Sequence, residues 1–372
     1  MAQAPSGSVL AKPSACCEIE RQAWRLNEDA GLSERTTHAT VDDVAALAGV
    51  STATVSRCLN APERVIPATR EKVMAAIRKL NYTPNFGARA LASRKTGIIG
   101  AVVPTLENAV FAHGIEAFEQ ALPPGKFALL IASSGYDPQR EREQIEALVA
   151  RGASGLMLVG FDRDPTVYEW LGHRRVPYVL AWASGDSQPH AGFDNEAGIA
   201  QMVGLVLELG HTDIAMISGM TEGNDRARGR LEGARRELAR AGLEFRGVAE
   251  VPYGIETGAR AFEKLIASHP VTAVICGNDV LAAGALRAAH RMGLRVPEDV
   301  TITGFDDIDI ASITYPELTT VRVPHRRMGS EAARLLQQLI DGKEGQSVQL
   351  PTRVVARGTH APPRRKDLPA SA

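Results

Sequence analysis

The sequence predicts an all-α helix-turn-helix head followed by an α/β region built from two doubly wound parallel sheets. Three observations predict it. Between residues 40 and 80, apolar side chains recur at helical spacing behind well-formed start signals. From Gly97 onward, short apolar runs alternate with helix-length amphipathic stretches, the pattern of repeated βα units. The chain has 372 residues, too many for one ordinary domain and enough for two such sheets behind the head.

Residues 1–38 mix Pro, Ser, Gly and charge without a clean period and read as a loose N-terminal extension. At residue 39 the pattern changes. Thr40 suits the cap of a helix whose third residue is Asp43, with Val41, Val44, Ala45, Leu47 and Ala48 on its apolar face and Gly49 as its stop. Ser51 suits the cap of a second helix, with Val55 and Leu59 inward, ending near Asn60-Ala61-Pro62. Pro67 fits the first turn of a third helix running to Leu80, with Val73, Met74 and Ile77 inward. Asn81-Tyr82-Thr83-Pro84 breaks it, so the head spans 39–83 and a linker, 84–96, holds one more short helical segment.

Buried strands are expected at 98–103, 127–132, 155–159, 176–181, 214–218, 273–276 and 300–304. Between them, 139–150, 197–209, 226–241 and 279–292 read as helices, giving an α/β unit over 97–360. Ligands bind such sheets outside the carboxyl ends of the strands, which is where site residues are sought. The tail, 361–372, begins Ala361-Pro362-Pro363-Arg364-Arg365-Lys366, reads as disordered, and lacks leucine heptads.

Composition narrows the function classes. The hydrophobic fraction of 44% is that of a globular protein, and no apolar run reaches membrane-helix length, so no membrane partner is expected. The opening residues lack the charged start and apolar core of a secretory signal. Cys16, Cys17, Cys58 and Cys276 have no metal-ligand spacing, and this usage suits a reducing cytoplasm. No Gly-rich phosphate loop, Gly-x-Ser-x-Gly elbow or His/Cys cluster is present, so neither enzyme chemistry nor a metal or cofactor is expected. The net charge of −1 hides an asymmetry: residues 38–95 carry +5 and the segment after them −5. A basic head on an acidic body fits a phosphate-binding module. Charge alone fits a solvated helical surface equally well.

The helix, Gly49 turn and second helix have helix-turn-helix spacing, with small Ala45 and Ala48 where helices cross and Val55 filling the gap. Thr52, Ala53 and Arg57 then point outward. A guanidinium at Arg57 suits bidentate contact with guanine, and Thr52 and Ala53 suit the thymine methyl. An ordinary helical hairpin satisfies the same pattern.

Longer motifs separate the two. Thr40-Val41-Asp42-Asp43-Val44-Ala45, Ala48-Gly49-Val50-Ser51, Thr54-Val55-Ser56-Arg57, Asn60, Thr69-Arg70-Glu71-Lys72-Val73 and Leu80-Asn81-Tyr82-Thr83-Pro84-Asn85 resemble the lactose/galactose-repressor (LacI/GalR) family. So do Ala88-Arg89, Leu91 and Ile99-Gly100, then Gly277-Asn278-Asp279, Val296-Pro297-Glu298-Asp299-Val300, Gly304-Phe305-Asp306-Asp307, Pro316-Glu317-Leu318-Thr319-Thr320-Val321 and Arg357-Gly358-Thr359. The resemblance covers residues 39–360. It implies a dimeric transcription regulator, a repressor by family habit, that binds double-stranded operator DNA. Thr52, Ala53 and Arg57 would read bases, while Thr54, Ser56 and Asn60 would position the backbone. Residues 84–93 resemble the family's hinge helix, where Asn85, Ala88 and Leu91 would contact DNA and Leu91 would wedge into the minor groove. Pro67 departs from the Ser that often caps the family's third helix.

The same resemblance implies that 97–360 is a sensor with the type I periplasmic-binding-protein fold, its effector held between two lobes. Asn108, Phe111, Arg230, Asn278 and Asp279 map to that cleft, and Asp194 and Asn195 to the lobe crossing, where a hinge or structural role fits equally. Pro104-Thr105-Leu106-Glu107-Asn108 and Ser134-Gly135-Tyr136-Asp137-Pro138 look most like the branch holding the gluconate-operon repressor. That implies a sugar acid or phosphorylated sugar as effector, with Arg230 opposing its charge. Two rivals share the α/β pattern, a sugar-binding transport protein and an enzyme. The first is opposed by the basic head and the second by the missing catalytic motifs.

Overall fold

The computed structural model describes residues 39–83 and 96–364. They fall into two units, parted between Arg89 and Ala90.

In the first unit three helices pack on one another: α1 (Val41–Ala48), α2 (Thr52–Asn60) and α3 (Pro67–Lys79). The start of α1 is a reciprocal capping box. Thr40 Oγ1 accepts from the Asp43 N–H at 3.3 Å, and Asp43 Oδ2 accepts from the Thr40 N–H at 2.8 Å. The Thr40 N–H, and after it the Thr40 hydroxyl donating to the same Oδ2 at 2.7 Å, hold the Asp43 carboxyl below the usual range. Gly49 ends α1 at φ 64°, a left-handed conformation that glycine adopts without a Cβ penalty. Ser51 caps α2 through the Thr54 N–H, and Pro67 opens α3. Val44, Ala45, Val55, Cys58, Val73 and Ala76 form the core. Leu47, expected on the inner face, is 44% exposed. It falls off the stripe of Val41, Val44, Ala45 and Ala48, which alone follows the i, i+3, i+4, i+7 spacing.

The second unit holds two parallel sheets. The first lobe contains β1 (Ile98–Val103), β2 (Ala128–Ser133), β3 (Ala153–Val159), β4 (Tyr178–Ala181), β5 (His190–Gly192) and the late β11 (Val348–Gln349), in the order β11-β5-β4-β3-β1-β2. Its helices include α4 (Ala109–Ala121), α5 (Pro138–Ala150), α6 (Pro165–Arg174) and α12 (His325–Ile340). The second lobe orders β6 (Ile214–Gly219), β7 (Gly247–Val251), β8 (Ala273–Cys276) and β9 (Thr301–Thr303) as β7-β6-β8-β9. With it go α7 (Asn195–Glu208), α8 (Asp225–Arg240), α9 (Ile255–Ser268), α10 (Asp279–Arg291) and the short α11 (Ile310–Ile313). An antiparallel pair, β10 (Thr320–Arg322) with β12 (Arg353–Val355), completes the fold.

The chain passes between lobes three times: before α7, between β9 and α12, and between β11 and β12. A single apolar cluster reaches through both lobes, from Ile99 and Phe118 to Met216 and Ile275. In each sheet the strand order reverses once, at β1/β3 and at β6/β8, and these are the places where open α/β sheets leave a crevice. Inside the first lobe α4 and α12 pack so closely that a Cβ on Gly329 would lie 2.0 Å from the Gly114 carbonyl oxygen.

Two expectations change. The apolar run 127–132 predicts a buried strand, yet Leu130 and Ile131 of β2 are 37% and 44% exposed, because β2 is the free edge of its sheet. The composition of the tail predicts disorder from residue 361. Ala361 is instead tied to Thr301 by bonds in both directions, and Arg364 pairs with Asp299 at 2.9 Å, so the described chain continues to Arg364. The extension 1–38 and most of the 84–96 linker lie outside the described residues. Among the described residues, no helix is long and apolar enough to cross a membrane.

Candidate functional site

On the head, the Ser51 cap fixes where α2 begins and therefore which side chains face outward. Thr52, Ala53, Ser56 and Arg57 are exposed. Thr54 is half-buried, its hydroxyl 3.0 Å from Ser51 Oγ, so its main role here is to close the helix start. Asn60 is the last residue of α2. Asn85, Ala88 and Leu91 lie outside the described residues. The structure thus brings four of the expected contacts onto one exposed helical surface at the N-terminal side of a second helix, the surface a major groove admits.

In the sensor, loops at the carboxyl ends of the strands enclose an inner compartment lined by Asn108, Phe111, Tyr136, Trp182, Phe193, Asn224, Arg226, Arg230, Tyr253, Asn278 and Asp306. About 20 Å³ of it is open, space for one water-sized group. It adjoins a chamber of about 560 Å³ at the mouth; Asn108, Tyr136, Asn224 and Tyr253 line both. The lobes are drawn together around it. Asp225 Oδ2, on α8, accepts from the Phe161 N–H after β3 at 2.6 Å, and Arg228 pairs with Asp162 at 3.0 Å.

Four of the five expected effector residues line the inner compartment. Asn108 caps α4, accepting from the Val110 N–H, and Asn278 caps α10, accepting from the Leu281 N–H. Phe111 meets Trp182 edge-on, with centroids 5.1 Å apart. Arg230 is buried, donates to Asn195 Oδ1 and to the Tyr253 hydroxyl at 2.9 Å each, and lies 4.8 Å over the Phe305 ring. Burial works against its charge, but Tyr253 and Asp306 outweigh that cost and hold its pKa above the ordinary arginine value. Two buried donors on these walls, Arg230 Nε and Trp182 Nε1, have no partner among the described residues, an uncommon and costly condition for a closed site.

Asp279 is the exception. It is fully buried behind the compartment, its Oδ1 accepting from the Thr320 hydroxyl at 2.5 Å and its Oδ2 from the Ile308 N–H at 2.9 Å. Its carboxyl group is spent on fastening the loop after β9 to α10 and does not line the compartment. Asp306 lines the compartment instead, its backbone at φ 113° and pinned by its N–H on the Val321 carbonyl and by His325 Nε2 on its own carbonyl. Burial pushes its carboxyl up to about 7, with Arg230 pulling the other way. Asn195 joins the lobes: its Oδ1 holds Arg230, and its Nδ2 donates to the carbonyl of Trp182, a residue at φ 64°.

Sequence reasoning did not single out Asp306, Trp182, Tyr136, Tyr253, Asn224 or Arg226. Signals were present for three. Trp182 and Asp306 each follow an expected strand at its carboxyl end, and Tyr136 lies in Ser134-Gly135-Tyr136 after another. Among the described residues, no cluster of three or more His, Cys, Asp or Glu is placed to hold a metal ion.

A capped helix-turn-helix followed by a two-lobed α/β unit closed on a buried arginine defines a DNA-binding regulator with an effector-binding domain. Comparison with known proteins agrees at both ends. Residues 40–85 match the model of bacterial regulatory proteins of the lacI family, and residues 203–360 that of the periplasmic binding protein-like domain. The HTH-type transcriptional regulator reg1 of Streptomyces lividans is 36% identical over 344 residues, covering 88% of this chain and 98% of that one. The HTH-type transcriptional repressor PurR of Vibrio campbellii is 33% identical, covering 86% and 98%. The crystal structure of the Lac repressor dimer bound to operator and the anti-inducer ONPF superimposes with a TM-score of 0.77 at 30% identity, over 87% of this chain and 99% of that one. The chain belongs to the lacI family of bacterial regulatory proteins, and is a regulator rather than an enzyme.

Proposed function

We propose that this protein is a cytoplasmic, homodimeric repressor whose affinity for a near-palindromic operator is set by a sugar acid or phosphorylated sugar bound between its lobes. The observation that carries the effector reading is Arg230: a buried guanidinium with an unpartnered Nε, on the wall of a closed compartment. A carboxylate or phosphate offers the acceptor oxygens that this donor lacks. Asn108, Phe111 and Asn278 share that wall, with Phe111 and Trp182 able to cover an apolar sugar face.

On the head, Thr52, Ala53 and Arg57 read bases, and Thr54, Ser56 and Asn60 fix the head on the backbone. Asn85, Ala88 and Leu91 supply the hinge contacts. Dimerisation is supported by where the sensor leaves apolar surface open. The free edge β2 exposes Leu130 and Ile131, while Ile313, the last residue of the short α11, and Tyr315 just beyond it are 78% and 100% exposed. A bare apolar edge strand is a pairing hazard unless something covers it, and a second copy does so.

Calorimetry of the full chain with a panel of aldonates, uronates and sugar phosphates tests the effector. Binding of an acid that is lost in Arg230→Met is expected. Heat from a neutral sugar or a purine alone would reject the acid reading.

A further inference from the structure

We propose that the cleft takes its effector as an anion and that binding moves one proton from solvent onto Asp306. This rests on the acid-effector reading above and adds to it a charge balance.

The walls of the inner compartment hold two buried cations, Arg226 and Arg230, and one buried carboxyl, Asp306, which is paired with neither. Arg230 and Asp306 feel each other electrostatically, yet no ion-pair contact joins them, and no hydrogen bond among the described residues reaches the Asp306 carboxyl oxygens. Asp306 is 4% exposed and Arg230 6%. Other groups near Asp306 are already committed. Arg226, on α8, is paired with Asp225 at 2.7 Å. Tyr253 receives Arg230, and burial keeps the Tyr136 hydroxyl protonated. Asp307, beside it, is held between Arg322 and Arg357. His325, on α12, is lowered by burial to about 4 and stays neutral near pH 7, with His113 of α4 disfavouring its charge further. Asp279, on α10 behind, is pushed up by burial and by Asp306, so Asp306, which faces Arg230, ionises first.

Without ligand, an ionised Asp306 balances Arg230. An effector carboxylate at Arg230 Nε brings a second anion into the same enclosed space, where among the described lining residues Arg230 is the one cation without a carboxylate partner. A buried unpaired charge is too costly to keep, so one anion must take a proton. The ligand does not: a free α-carboxyl ionises at about 3.3–3.7. Asp306 does, since its carboxyl already titrates at about 7. The step balances as carboxylate plus a solvent proton giving carboxylic acid, and the new O–H becomes a donor to the ligand. A neutral polyol demands the opposite: its hydroxyls donate to an ionised Asp306, and binding tightens as pH rises.

The sign follows. Below pH 7, Asp306 is protonated before the acid arrives, and affinity is level. Above pH 7 each bound acid must recruit a proton, so affinity falls towards about tenfold per pH unit. The test is calorimetry of the full chain with gluconate, and with sorbitol as its uncharged counterpart. Each is titrated from pH 6 to 8.5 in phosphate and in Tris, whose different ionisation heats report the protons taken up. Gluconate should bind with uptake of about half a proton at pH 7, rising towards one at pH 8.5. Asp306→Asn, an amide that mimics the protonated acid and tolerates positive φ, should bind gluconate with equal affinity across that range and no buffer dependence. A far-ultraviolet melt of the variant confirms that it is folded. Gluconate binding that is flat in pH and blind to buffer in the parent chain would overturn the proton coupling and leave the acid reading standing. Binding of sorbitol with no binding of gluconate would overturn both.

Discussion

Arg57 sits exposed on α2, six residues past the cap that fixes the helix start, with Val55 and Cys58 buried on the opposite side. The base-reading role proposed for it rests on what a guanidinium offers: a planar fork matched to guanine in the major groove. Arg57→Ala should therefore relax preference at one base pair per half-site by roughly 1–3 kcal/mol, measured by competition among single-base operator variants. Equal loss on operator and random DNA would assign Arg57 to phosphate. At this scale the cleft was only partly legible. Asn278 and Asp279 are adjacent and both polar, and nothing in their order says which one a cap uses and which one the neighbouring loop consumes. The answer depends on Thr320 and Ile308, some 30 to 40 residues away, whose O–H and N–H claim Asp279. Arg230 was legible only through the family resemblance, since one arginine in an arginine-rich helix carries no mark of its own.

Among the elements, the α1–α2 turn was the easiest to read because its signals are local. A Thr40 cap with Asp43, a left-handed Gly49 and a Ser51 cap each act within three residues. No atom lies within 4 Å of a Cβ built on Gly49, so any cost of substitution there is conformational alone. Gly49→Ala should destabilise the head by roughly 1–2 kcal/mol, and Gly49→Asn by less, since asparagine visits the left-handed region. Hydrogen exchange at the α1 amides measures this directly. Faster exchange in the alanine variant than in the asparagine one is expected, and equal rates would deny the turn its conformational role. Strand β2 illustrates the other limit. An apolar run such as 127–132 looks the same whether its sheet or a second chain covers it, so sequence assigned burial where the isolated chain has an edge. Leu47 failed for a related reason: apolar character was legible, but the direction of the packed stripe depends on α2 and α3.

For the whole molecule, alternating βα units gave the two parallel sheets, while the three passages between lobes went unread. The late β11 returns to the first lobe's sheet beside β5, a pairing between residues about 157 apart that no local pattern announces. Those passages place Asn195 and Asp306 between the lobes, so Arg230 is linked directly to Tyr253 of the second lobe and, through Asn195, to the Trp182 carbonyl of the first. A ligand that binds one lobe arrangement better than another shifts the population, and can change DNA affinity only by that difference.

The central claim is that one chain grips duplex DNA through its head and lets the cleft decide how tightly. Fluorescence anisotropy of the full chain on labelled DNA from upstream of its own coding region, across a salt series with and without gluconate, tests it most directly. The account predicts affinity that falls steeply with salt and an acid-dependent change of roughly 5–150-fold on that DNA. It predicts that Arg230→Met keeps the DNA affinity and loses the acid response. DNA affinity indifferent to salt, or unchanged by an acid shown calorimetrically to fill the cleft, would contradict it.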